Sequence, residues 1–190
     1  LRYILSDAQP TLLLTLRSYA GIDLVKHGLT FGSEFPCIQE VWVIGEHHEG
    51  TQNFAERTRD PRPEMHAALS ERMAAVKRED DVLLMYTSGS TGKPKGVLHP
   101  HGNLIDNIAE EVKYFGVDGD ARLLLHFPIN HVAADVEIAF AAVYAGATLV
   151  MLDRFEPQES LEVIERERIT LLGQVPVMFA MQFQAPKFQT

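Results

Sequence analysis

Hydrophobic positions along this chain fall into two alternating patterns. Short apolar runs bounded by turn residues cover 11–16, 40–44, 82–87, 123–127, 148–152 and 170–172, and they are mostly free of charge. Elsewhere apolar residues recur every three or four positions: Met65, Leu69, Met73 and Val76; Leu104, Ile108, Val112 and Phe115; Leu161 and Ile164. The first pattern predicts buried strands and the second a helix with one apolar face. Pro157 suits an early helical position, where its missing N–H costs nothing. Strand runs alternating with helical ones predict an α/β fold, a mainly parallel sheet with flanking helices, because parallel strands are joined by crossover segments. Residues 45–63 are polar, with His47, His48, Glu49, Gly50, Asn53 and Pro61, and are expected to form a surface connection.

Length and charge narrow the picture. A chain of 190 residues, 46% hydrophobic, can fill one core, or one domain and part of another. Its 26 acidic residues against 17 basic ones give a net charge of −9, the wrong sign for a nucleic-acid surface, so any phosphate site must be local. The single cysteine, Cys37, excludes an internal disulfide framework and suits a reducing, cytoplasmic setting. The uncharged stretch 138–152 is too short and too rich in Ala and Gly for a membrane span; it is expected to be a buried helix followed by a buried strand. The chain opens on Leu1 without a starting methionine, and an apolar, helix-like run begins at Val175. Further sequence is therefore expected on both sides.

The chemistry is concentrated in Tyr86-Thr87-Ser88-Gly89-Ser90-Thr91-Gly92-Lys93-Pro94-Lys95-Gly96, which follows a predicted strand. Glycines let a backbone turn with positive φ and approach an anion closely, so that successive N–H groups converge on phosphate oxygens. The hydroxyls of Thr87, Ser88, Ser90 and Thr91 add short donors, and Lys95 adds a charge-assisted one. A Walker A loop is excluded, because Gly89 and Gly92 enclose two residues where that motif needs four. A nucleophile elbow is excluded too, since Ser88, not glycine, stands two before Ser90. A flexible linker would have no reason to place two lysines around a proline directly after a strand.

Taken whole, this segment resembles the signature phosphate loop of the adenylate-forming (AMP-binding) superfamily, which includes acyl-CoA synthetases, luciferases and peptide-synthetase adenylation domains. The resemblance extends to Leu1-Arg2-Tyr3-Ile4-Leu5-Ser6-Asp7-Ala8, which looks like the family's helix before an early strand, and to 165–176, which looks like its strand leading to a Val-Pro turn. It implies that residues 1–190 are part of a Rossmann-like N-terminal domain, with the C-terminal domain absent. The implied reaction is activation of a small-molecule carboxylate by ATP to an acyl-adenylate, with the acyl group then passed to coenzyme A. Thr87, Ser88, Gly89, Ser90, Thr91, Gly92 and Lys95 would hold the ATP phosphates, and Thr87 would be a ligand of the accompanying Mg2+. The isolated fragment is expected to be inactive.

Pro128-Ile129-Asn130-His131-Val132-Ala133-Ala134 resembles the family's second landmark, with Ala134 where the family has glycine. By that resemblance His131 borders the acyl pocket near the reacting carboxylate and is the catalytic candidate. The same residue with Asp135 reads as H-x-x-x-D, a spacing used by some acyltransferases, although on a helix the two are merely neighbours one turn apart. A non-catalytic nucleotide-phosphate module is a further alternative. His99-Pro100-His101 and His47-His48-Glu49 lack metal-ligand spacing.

Overall fold

Each expected strand is present in the computed structural model, which describes residues 1–59, 62–89 and 92–189. The chain divides into two units: Leu1–Val76 with Tyr86–Gly96, and Lys77–Met85 with Val97–Thr190.

In the first unit, helix α1 (Arg2–Ala8) precedes strand β1 (Leu12–Leu16), and a hairpin of β2 (Ser18–Tyr19) and β3 (Ile22–Asp23) follows. Ala20 and Gly21 both have positive φ, the geometry of a tight two-residue hairpin turn. Asp23 then caps helix α2 (Leu24–Glu34), its carboxylate accepting from Lys26 N at 2.9 Å. Strand β4 (Glu40–Ile44) pairs in parallel with β1, Leu14 opposite Trp42, and with the short β5 (Gln52–Asn53) on its other edge. The core here is Leu5, Val25, Ile38, Val41 and Val43.

Helix α2 lies close on the sheet because its contact face is glycine. A Cβ at Gly28 would meet Val41 at 3.1 Å, and one at Gly32 would meet it at 3.3 Å. Those glycines lower intrinsic helix propensity. They also erase the apolar periodicity that would have predicted α2.

Two expectations change in this unit. The polar stretch 45–63 contains β5 and helix α3 (Phe54–Thr58), organised by Asn53, whose carbonyl oxygen accepts from Glu56 N and whose amide donates to Gly45 O; Pro61 lies outside the described residues. Helix α4 (Met65–Ala75) forms as its period predicts, but Met65, Leu69 and Met73 are exposed and it has no buried residue. The apolar stripe predicts the helix, not a partner for it.

Strands β6 (Asp81–Thr87) and β7 (Lys95–Pro100) pair in a two-stranded sheet on either side of the glycine- and lysine-rich segment. Strand β6 is not buried as expected: Val82 and Leu84 are exposed. A two-stranded ribbon leaves at least part of both faces to solvent unless something packs on it.

The second unit is built on β8 (Arg122–Leu125), flanked in parallel by β9 (Thr148–Met151) and β10 (Leu171–Leu172). Leu123, Leu124 and Leu125 are fully enclosed because β8 is the central strand, whereas β9, at the edge, is half-buried. Helix α5 (His101–Phe115) ends on Gly116 in the left-handed region, and its Leu104 and Ile108 pack with Val136 and Ala141. A continuous helical run joins α6 (Val132–Ala134), a π-helical segment (Asp135–Phe140) and α7 (Ala141–Ala145). Helix α8 (Pro157–Arg166) starts with Pro157 as predicted and is capped by Glu156, and α9 (Pro176–Gln184) starts at the Val-Pro step. Arg122 ties β8 to the end of α8, pairing with the Glu167 carboxylate at 3.0 Å and donating to its carbonyl.

Candidate functional site

The loop between β6 and β7 is shaped by its glycines. Gly89 has φ +54°, and a Cβ there would collide with the backbone carbonyl of Lys93, so no other residue fits without moving the chain. Gly92 has φ +83° with open space around it, and its N–H donates to Gly89 O at 3.3 Å. The turn is thus forced at one glycine and only favoured at the other. Thr87 and Ser88 present exposed hydroxyls, and Lys93 and Lys95 are exposed cations after the turn. Ser90 and Thr91 lie outside the described residues. The donor set fits the phosphates of ATP: a tight glycine turn, hydroxyls and ammonium groups in an otherwise acidic chain. Among the described residues no three His, Cys, Asp or Glu side chains cluster as a metal site.

Helix α1 contacts the first stem of this loop and a lysine within it. The Tyr86 hydroxyl donates to Asp7 Oδ2 at 2.6 Å, and Lys93 Nζ lies 5.9 Å from the centre of the Tyr3 ring, within cation–π range. The bond to Asp7 is the main reason the Tyr86 phenol is pushed up to about 12. Tyr3 and Asp7 were not singled out by sequence. They lie some eighty positions from the loop, and no local pattern links them.

His131 belongs to the second unit, at the start of the α6–π–α7 run. Its Nδ1 accepts from Ala133 N at 3.2 Å, and its carbonyl accepts from Ala134 N and Asp135 N. A neutral ring with Nδ1 as acceptor carries its proton on Nε2, which is then the donor available to a substrate oxygen. Among the described residues no hydrogen bond or ion pair joins the His131 ring to Asp135, the contact an H-x-x-x-D dyad requires. Ala134 is fully buried at φ −80°, ψ −53°, ordinary right-handed helix, so alanine sits without strain where the family has glycine.

The helical run that His131 opens walls a cavity of about 310 Å3, which His131 itself does not line. Ala133, Glu137, Ile138 and Ala141 form one side, α5 contributes Glu111 and Val112, and the end of β10 leads into Gly173 and Gln174. The π segment matters here, because wide i→i+5 winding is a recurrent feature of functional sites. Glu111 and Gln174 do not stand out in the sequence: Glu111 sits in a charged run with Glu110 and Lys113, and Gln174 is a single polar residue before Val175.

At the end of β8, His126 is 2% exposed between the rings of Phe127 and Phe155, whose centres lie 5.6 and 5.3 Å away. Neither ring nitrogen has a hydrogen-bond partner. Burial pushes its pKa below the usual value, outweighing an opposing effect of the nearby Gly173 backbone. The paired histidines 47–48 and 99–101 join no metal cluster among the described residues.

The family profile described as "AMP-binding enzyme" matches residues 1–190. The chain is 31% identical to an indoleacetate–CoA ligase of Aromatoleum aromaticum over 192 aligned positions, covering all of this chain and 35% of that ligase. It is 34% identical to the long-chain-fatty-acid–CoA ligase FadD13 of Mycobacterium tuberculosis, over 73% of this chain and 26% of that protein. Its fold matches the crystal structure of the anthranilate CoA ligase AuaEII in complex with anthranoyl-AMP, with a TM-score of 0.78 and 22% identity, over 98% of this chain and 35% of the other. The chain thus spans well under half the length of the curated relatives it matches.

Proposed function

The chain belongs to the AMP-binding enzyme family, and from that premise we propose that it is part of the large N-terminal domain of an acyl-CoA synthetase-type ligase. The reaction is activation of a carboxylate by ATP to an acyl-adenylate, with release of pyrophosphate, followed by transfer of the acyl group to coenzyme A. The loop 87–95 binds the ATP phosphates through backbone N–H groups, the hydroxyls of Thr87, Ser88, Ser90 and Thr91, and Lys95. Thr87 is also a ligand of the Mg2+ that accompanies ATP and screens phosphate charge. His131 Nε2 donates to the reacting carboxylate, and the 310 Å3 cavity walled by the helical run that His131 opens receives the acyl group. Catalysis here is largely positioning and charge stabilisation, and a fixed donor contributes most when its rotamer is already set, as the Ala133 bond does for His131.

The observation that carries this reading is Gly89, whose positive φ and contact with the Lys93 carbonyl leave no room for a side chain inside a loop rich in hydroxyls and lysines. The relatives' names include a long-chain fatty acid and indoleacetate, so the acyl group has to be read from the cavity itself. A cytoplasmic placement is proposed on the lone Cys37, which suits a reducing compartment; no helix among the described residues is long and apolar enough to cross a membrane.

Pyrophosphate release by the intact ligase tests the proposal. Replacing Lys95 by Ala removes a charge-assisted hydrogen bond worth about 1.5–3 kcal/mol and should raise the KM for ATP at least about tenfold, with a smaller change for the carboxylate. Unchanged adenylation kinetics in Lys95→Ala would overturn the phosphate-loop assignment.

A further inference from the structure

Helix α1 is anchored to α2 independently of the loop that follows β6. Its Leu5 is buried, and Arg2 pairs with Glu34 at 2.7 Å and lies 5.6 Å from the centre of the Phe31 ring. Tyr3 and Asp7, four positions apart and therefore neighbours on one helix face, meet the other side: Asp7 accepts from the Tyr86 hydroxyl, and the Tyr3 ring centre lies 5.9 Å from Lys93 Nζ. Lys93 is thus held by a neutral partner. Among the described residues it forms no ion pair, although the chain carries 26 acidic residues against 17 basic ones. An aromatic face attracts a cation through its quadrupole and leaves the charge unneutralised. A lysine paired with a carboxylate would have to give up that pair to meet a phosphate; Lys93 does not.

We infer that Lys93 is a second phosphate-binding cation beside Lys95, and that Tyr3 is its positioning residue, keeping the ammonium at the loop before ATP binds. This rests on the loop being the ATP-phosphate loop. A lysine side chain has a flexible four-carbon stem, and ordering it on a ligand costs rotamer entropy. Contact with the Tyr3 ring restricts that freedom in advance, so less is lost when the phosphates arrive. Because α1 is fixed through Arg2 and Leu5, the ring is a platform whose place does not depend on the loop itself.

The test is steady-state pyrophosphate release by the intact ligase, with ATP and carboxylate varied separately. Lys93→Met should raise the KM for ATP at least about tenfold, the loss expected for a charge-assisted hydrogen bond, with a much smaller change in the KM for the carboxylate. Tyr3→Leu keeps an apolar side chain at a position that is 41% exposed and should raise the KM for ATP about two- to fivefold, the span of an exposed cation–π contact. Tyr3→Phe restores the ring and should return that KM toward wild type. In the Lys93→Met background Tyr3→Leu should add nothing, because its effect passes through the lysine, whereas a merely structural Tyr3 would act equally in both backgrounds. An unchanged or lower KM for ATP in Tyr3→Leu overturns the positioning role, as does an undiminished effect in the Lys93→Met background. If Lys93→Met leaves ATP kinetics unchanged while Lys95→Ala raises the KM, the inference falls and the phosphate-loop reading stands. If neither lysine alters ATP use, both fall together.

Discussion

The hydroxyl of Tyr86, the residue before the proposed phosphate loop, donates to the carboxylate of Asp7 on the first helix at 2.6 Å. The contact converts a local loop into one whose stem is fixed by a distant element. With Asp7 replaced by Asn the phenol should titrate nearer its ordinary value of 10.0 and away from about 12. Difference titration of tyrosinate absorbance against Tyr86→Phe reads this directly. Because folding raises this pKa, the associated stability is fully present below about pH 10 and is lost as pH rises toward 12. Asp7→Asn should also raise the KM for ATP while leaving that for the carboxylate nearly constant.

The two loop glycines are predicted to differ in tolerance. Gly92→Ala meets open space and incurs only the left-handed backbone penalty, about 1–2 kcal/mol. Gly89→Ala adds a collision with the Lys93 carbonyl and must distort the turn. ATP-dependent pyrophosphate release should fall much further in Gly89→Ala than in Gly92→Ala, with far-ultraviolet circular dichroism unchanged in both. Equal effects would mean that the turn does not shape the phosphate site.

At His131 the cap and the donor can be separated. His131→Ala removes both, and the lost cap alone is worth about 1 kcal/mol. His131→Asn retains a capping acceptor while withdrawing the Nε2 donor. Both variants should impair carboxylate use more than ATP use, but only His131→Ala should lower the urea midpoint of unfolding. A collapse of ATP affinity with carboxylate affinity intact would remove His131 from the acyl side of the reaction.

His126 predicts an acid sensitivity. Its pKa is lowered by burial, so the folded state binds fewer protons than the unfolded one. The stability it confers is full above the ordinary value of 6.5 and declines as pH falls below it. In urea unfolding followed from pH 8 to pH 5, His126→Phe should flatten that decline. A profile identical to wild type would show that the imidazole is not held neutral.

What the sequence revealed and what it concealed follow from the range of each interaction. The runs at 40–44 and 123–127 announce strands because burial there is set by the strand's own composition, and Pro157 and the Val-Pro step mark helix starts through local backbone chemistry. Helix α2 was hidden because Gly28 and Gly32 give close approach to Val41, a property of the partner surface. The exposure of Val82 and Leu84 was equally hidden, since apolar sequence predicts a strand without saying what covers it. In the site, the loop was legible as a string. Its contacts with Tyr3 and Asp7 join segments far apart in the chain.

The π-helical segment sets a rotational phase. Val136 and Ala141, five residues apart, both join the cluster with Leu104 and Ile108, while Ala134, Ile138 and Ala142, spaced by four, join the core around Leu123. One extra residue is accommodated between Asp135 and Phe140, and each residue of a helix advances the winding by about 100°. Deleting a single residue there would restore regular winding and swing His131 and Ala133 by about that angle relative to α7. A length change of one position, with no change of side-chain chemistry, would therefore turn Ala133, and His131 before it, away from the wall that Glu137, Ile138 and Ala141 give the cavity.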